Sequence, residues 1–138
     1  MSAVRVERTD DGGFRATNDR GATVAITASG EDEHFTPVEL LLAALGGCEI
    51  VTVEPLTAQR GHRLVKLATT VSAEKVERNK LGTVTIDYDI GLPDGDDKAA
   101  EVFAAVAERV HERYCTVGRS LREGTPVEQV LPDLDRAR

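Results

Sequence analysis

Two cysteines, Cys48 and Cys115, are the residues of this chain with the most distinctive chemistry, and they stand nearly half the chain apart. Only the fold can bring such a pair together. If it does, a peroxide-reducing cycle is open to them. One thiolate attacks an O–O bond and becomes a sulfenic acid, the other thiol condenses with it to a disulfide, and an external thiol resets the pair. The competing reading is structural, because free cysteines are among the most buried residue types and serve as small apolar fillers. A third reading is a zinc site. His111 and Cys115 have the spacing that puts two ligands on one helix face, and Cys48 with His62 would complete four, although no CxxC accompanies them.

A reactive Cys48 needs a stabilised thiolate, because an ordinary thiol has a pKa of about 8.5 and is only a few per cent ionised at neutral pH. The cysteine follows the run Thr36-Pro37-Val38-Glu39-Leu40-Leu41-Leu42-Ala43-Ala44-Leu45-Gly46-Gly47. Thr36 as N-cap, Pro37 at the first helical position and Glu39 three residues after the cap mark the start of a helix there. Cys48 is therefore too deep in the helix to feel its N-terminal dipole, and a cation must come from elsewhere. Arg15 and Arg20 are the candidates, each also readable as a solvated surface arginine. Glu39 is a candidate to orient such an arginine. Helix geometry, however, puts it on the face opposite Cys48 and roughly 13 Å away along the axis. It could serve Cys48 only across a dimer interface, and reciprocal capping with Thr36 accounts for it equally well. Cys115 is better placed electrostatically, since a third helix is expected to start beside it.

Composition narrows the partners. The chain has 138 residues, a formal net charge of −7 and a pI near 5.0. Its Lys and Arg residues are scattered, so nucleic acid is not an expected partner. Trp is absent and aromatics are few, which removes the usual stacking platforms. The N-terminal residues do not read as a signal peptide. No stretch is expected to reach the roughly 18 to 20 apolar residues that span a bilayer, so no membrane role and a cytoplasmic location are expected. In a reducing cytosol a lasting disulfide is unusual, which favours a cycling pair, a metal pair or buried filler. No GxGxxG, P-loop, GxSxG or HExxH is present, and neither a cofactor nor a metal is expected. The length fits one domain, residues 1–138.

The elements that must position the cysteines follow from periodicity. Alternation at Val4 and Val6, Phe14 and Ala16, and Ala22, Val24 and Ile26, broken by Asp10-Asp11-Gly12-Gly13 and Asn18-Asp19-Arg20-Gly21, predicts an N-terminal antiparallel meander. Residues 40–48 carry no charge on any face, so the cysteine helix must be covered on all sides, and a partner subunit is expected on one of them. Gly46 and Gly47 admit a close neighbour, and Pro55 is expected to kink or end the helix. Two long strands follow, with Val65, Leu67, Thr69 and Val71 on one face of the first and Val84, Ile86, Tyr88 and Ile90 on one face of the second. A second amphipathic helix from about Lys98 buries Val102, Phe103, Val106, Val110 and Tyr114 and ends at Cys115. A short third helix and a terminal strand over residues 129–132 close the chain.

The segment from Thr36 to Cys48 resembles the first-cysteine helix of the OsmC/Ohr family, the osmotically induced protein C and organic hydroperoxide resistance proteins. Glu112-Arg113-Tyr114-Cys115-Thr116-Val117 resembles that family's second-cysteine segment, and the element order is similar over nearly the whole chain. The resemblance implies an α+β fold in an intertwined homodimer that reduces organic hydroperoxides in an antioxidant stress response. Cys48 would be the peroxidatic thiol, Cys115 the resolving thiol, and a dithiol such as a lipoyl group the external reductant. The alternative it leaves open is an OsmC-like dimer with little or no catalysis that binds a small apolar or thiol-containing ligand. One departure is plain. In the organic hydroperoxide members a glutamate directly follows the proline, whereas Val38 holds that place here and Glu39 comes one later. The motif is closest to a less characterised subgroup with a Leu-Leu-Ala-Ala-Leu-Gly-Gly-Cys run.

Overall fold

A computed structural model describes residues 3–138. The meander forms as the alternation predicts. Strands β1 (Val4–Arg8), β2 (Phe14–Asn18) and β3 (Thr23–Ile26) pair antiparallel in the order β1-β2-β3, with Val6 opposite Ala16 and Ala16 opposite Val24. The strands pack chiefly on one another, and Val4, Val6 and Phe14 remain exposed. A single bridge from Ile26 to Phe35 ties the meander to the start of the next element.

Helix α1 (Pro37–Gln59) starts where the capping pattern places it. The Thr36 hydroxyl accepts from the Glu39 N–H at 3.2 Å, and the Glu39 carboxylate accepts from the Thr36 N–H at 2.8 Å. This reciprocal pair satisfies two backbone donors that the first turn would otherwise orphan, a contribution of about 1 kcal/mol. Of the two outcomes expected at Pro55, a kink or an end, the second does not occur, and the helix continues to Gln59. Proline removes one backbone bond, but Val53 and Thr57 on either side of it are fully buried and their packing holds the last turn in place. Termination comes instead at Gly61, with φ +79°, where the His62 N–H reaches the Thr57 carbonyl and the Gly61 N–H the Ala58 carbonyl. The expectation that no segment has bilayer-spanning length and apolarity is also corrected. By length and composition α1 is sufficient, with mean hydropathy 1.5 over its most apolar window. In the folded chain it is a core helix packed on the second sheet and the C-terminal helices.

That sheet is the hairpin of β4 (Lys66–Glu77) and β5 (Lys80–Gly91). Its register sets Leu67 opposite Ile90, Thr69 opposite Tyr88, Val71 opposite Ile86 and Ala73 opposite Val84, so the two expected apolar faces are one face. Val65 lies just before β4 and stays exposed. β4 runs so close beneath α1 that a Cβ on Gly46 would stand 2.8 Å from both the Thr69 hydroxyl and a Val71 methyl. Gly46 is thus required by its own sheet, while the Cβ position of Gly47 is open.

Helix α2 (Ala99–Arg109) continues into a π-helical turn at Val110–Tyr114, then Cys115 caps α3 (Thr116–Glu123). The Cys115 N–H bonds the Val110 carbonyl at 2.8 Å, five residues back. The wide turn shifts the helical phase, and this corrects the expected buried stripe: Tyr114 is 50% exposed and Cys115 takes the buried place. Leu45, Val53, Val106, Val110 and Cys115 form the core, with Phe103 edge-on to Tyr88 at 5.2 Å between ring centres. The expected terminal strand over residues 129–132 is absent. Among the described residues no strand edge receives the segment, and Val127, Val130 and Leu131 stand in solvent.

Candidate functional site

The fold brings the two cysteines together. Cys48, half-buried on α1, packs against the core cluster that contains Cys115, which is 0% exposed. Cys115 sits at the N-cap of α3, and its sulfur accepts from the Gly118 N–H at 3.3 Å. Gly118 has no side chain for a reason, since a Cβ there would lie 3.1 Å from that sulfur and 3.2 Å from Leu45. Burial pushes the Cys115 thiol up to about 12. The Gly118 N–H opposes this, and the neighbouring Cys48 thiol and Glu49 carboxylate reinforce it. The favourable helix start expected for Cys115 is present, but desolvation of a thiolate outweighs it.

Glu49 is the residue that sequence reasoning missed. It is 2% exposed, and its Oε1 accepts from the Tyr88 hydroxyl at 3.1 Å. Its Oε2 is buried without a hydrogen-bond partner, and His111 Nδ1 stands 3.7 Å from it. Burial, followed by the charge of Glu49, pushes the Tyr88 phenol up, so it remains a donor. A signal for Glu49 was available: it lies four residues from both Leu45 and Val53, on the stripe that α1 buries.

The other candidates lie elsewhere. Arg15 bonds Glu7 at 3.2 Å within the meander, and Arg20 occupies the exposed turn after β2, its N–H on the Asn18 carboxamide. Glu39 is engaged in the cap. Two other arginines, Arg60 and Arg109, come together beside α1. They line a hollow of about 280 Å³ with Thr52, Leu56, Val106 and Tyr114, and the Thr52 hydroxyl donates to the Cys48 carbonyl at 3.1 Å. The four zinc ligands sketched from sequence do not assemble. His62 Nδ1 is 2.7 Å from Asp96, His111 faces Glu49, and among the described residues no three His, Cys, Asp or Glu side chains are placed to hold a metal ion.

Residues 30–130, a span that includes both cysteines and Glu49, match the family model described as OsmC-like protein. The chain belongs to the OsmC-like family. An uncharacterized protein of Mycobacterium tuberculosis strain H37Rv is 33% identical to this OsmC-like chain, covering 97% of it and 98% of the relative. The OsmC-like protein of Mycoplasma pneumoniae superposes with a TM-score of 0.68 at 18% identity, over 91% of this chain and 89% of that one. The organic hydroperoxide resistance protein OhrB of Bacillus subtilis superposes with a TM-score of 0.58, also at 18% identity, over 90% and 92%. The α+β OsmC-like fold is therefore shared with proteins of hydroperoxide resistance.

Proposed function

We propose that this chain is a cytoplasmic, homodimeric thiol peroxidase acting on organic hydroperoxides, with Cys48 peroxidatic and Cys115 resolving. The observation that carries the reading is the packing of a half-buried Cys48 against a fully buried Cys115 across two helices. The Cys48 thiolate attacks the O–O bond, an alcohol leaves after taking up a proton, and Cys48 becomes a sulfenic acid. The Cys115 sulfur then displaces the hydroxyl from Cys48, forming a disulfide and releasing water. An external dithiol reduces that disulfide by exchange and is itself oxidised. The apolar cluster against which Cys48 packs, Leu45 and Val53 among it, favours an alkyl substrate over hydrogen peroxide.

Uncovered apolar surface supports the dimer. Val38 and Val51 on α1, the meander and the C-terminal segment all expose large aliphatic groups, with Val127 at 94% exposure. A second copy that covers them completes the molecule. A second reading, a weakly catalytic dimer that binds a thiol-containing or apolar ligand, is favoured by one observation, the engagement of Arg15 with Glu7 rather than with a thiol. The deciding assay follows cumene hydroperoxide consumption by the reduced protein. The peroxidase reading expects one hydroperoxide consumed per subunit without added reductant and continued turnover with a dithiol, and no consumption supports the binding reading.

A further inference from the structure

Closing a disulfide requires the proton of Cys115 to leave a thiol with no solvent contact. Three side chains around it mark a route. The Glu49 carboxylate lies beside the Cys115 thiol and, like it, has almost no exposure. One of its oxygens is fixed by the Tyr88 hydroxyl at 3.1 Å, while the other is left buried with no hydrogen-bond partner. A buried carboxylate oxygen without a partner is costly in a core of this kind, and its retention is explained if it has a proton to receive. His111 Nδ1 lies 3.7 Å beyond that free oxygen, and the imidazole is 44% exposed, so the line from Cys115 through Glu49 ends in water. An open groove of about 420 Å³, lined by Glu49, Tyr88, His111 and Ile86, gives the end of this line its access.

We propose that Glu49 is the proton acceptor for the Cys115 thiol when the two cysteines join, with Tyr88 holding one carboxylate oxygen and His111 linking the other to solvent. In the peroxidase cycle, on which this assignment builds, Glu49 takes the Cys115 proton as the S–S bond forms and returns it to the hydroxide displaced from Cys48, which leaves as water. When an external dithiol attacks Cys48 of the disulfide, the Cys115 thiolate is released and the same carboxyl group, protonated through His111, restores its proton. Glu49 is then a general base in one half of the cycle and a general acid in the other, a role worth about 10²-fold or more in rate.

The step can be read without peroxide. Reaction of the reduced protein with 5,5′-dithiobis(2-nitrobenzoate) labels Cys48 and releases one thionitrobenzoate. Attack by Cys115 on the mixed disulfide then releases a second in a unimolecular phase, with its proton leaving by the Glu49 route. The expected result is that E49Q slows the second phase by about 10²-fold more than the first, that E49D recovers part of the loss, and that H111Q slows the second phase several-fold. A second phase in E49Q within about threefold of the unmodified protein, or its absence from the unmodified protein, overturns the assignment. H111Q alters a half-exposed side chain and keeps the test open should E49Q fold poorly. Failure to consume cumene hydroperoxide with the two-phase behaviour intact would instead remove the peroxidase reading and leave the role of Glu49 standing.

Discussion

Replacing Cys48 by serine is expected to lower the rate of alkyl hydroperoxide consumption by at least about 10³-fold, because the hydroxyl of serine is not ionised near neutral pH and is a far weaker nucleophile toward an O–O bond than a thiolate. The loss should be chemical, not structural. Cys48 is half-buried at the edge of the core cluster, and exchange of sulfur for oxygen there removes little packed volume. Stability measured by urea unfolding should therefore stay close to that of the parent chain. The corresponding change at Cys115 behaves differently. It should leave the first oxidation of Cys48 in place, stop disulfide closure and let the sulfenic acid accumulate, so that continued peroxide pushes Cys48 to the irreversible sulfinic state. If both single variants consume hydroperoxide at the parent rate, neither cysteine is the reacting atom.

A second large effect is expected in alkali. Burial pushes the folded-state Cys115 thiol up to about 12, well above the ordinary thiol range. Above pH ~9 the unfolded chain has lost this proton while the folded chain keeps it, so the unfolded state binds fewer protons and stability falls as pH rises. The slope reaches on the order of 1 kcal/mol per pH unit and persists until the pH nears the folded value. Below pH ~9 both states hold the proton and the group contributes no slope. The raised Tyr88 phenol acts in the same direction at still higher pH. Cys115→Ala isolates the cysteine share. It should be less stable than the parent at neutral pH, through the cavity it leaves, and should lose less stability between about pH 9 and about pH 11. Parallel unfolding profiles for the two proteins across that window, measured under reducing conditions, would contradict the burial of an un-ionised thiol.

Much of the frame was legible because local rules and packing agree there. Thr36, Pro37 and Glu39 announce the start of α1 through hydrogen bonds made within four residues, and the alternation at Leu67, Thr69 and Val71 against Ile86, Tyr88 and Ile90 specifies a strand pair whose register buries one face. The features that escaped depend on contacts distant in sequence. Pro55 reads as a kink or a stop, and the packing of Val53 and Thr57 carries the helix past the missing bond. Tyr114 and Cys115 exchange faces because a π-helical turn interrupts the 3.6-residue period, and nothing in the residue types of Val110–Tyr114 signals it. Glu49, four residues from both Leu45 and Val53, becomes a site candidate only when Tyr88 of β5 and His111 of the π-helical turn stand beside its carboxylate. The arginines followed the same logic. Arg15 and Arg20 were candidates by position in the chain, whereas Arg60 and Arg109 come together beside Thr52 and Leu56 only when the helices pack. Residues 129–132 carry the apolar pattern of a strand and find no strand to pair with among the described residues, and a second copy is the proposed place for that pattern to be used.

Every step of the proposed cycle depends on Cys48 and Cys115 of one chain forming a redox couple. The most direct test of that couple is to add one equivalent of cumene hydroperoxide to the fully reduced protein, quench with an alkylating agent, and map the sulfurs by mass spectrometry. The expected product is an unalkylated chain about 2 Da lighter than the reduced form, with the peptides of Cys48 and Cys115 joined by a disulfide within a single subunit. Recovery of both cysteines alkylated, with the hydroperoxide unconsumed, would contradict it.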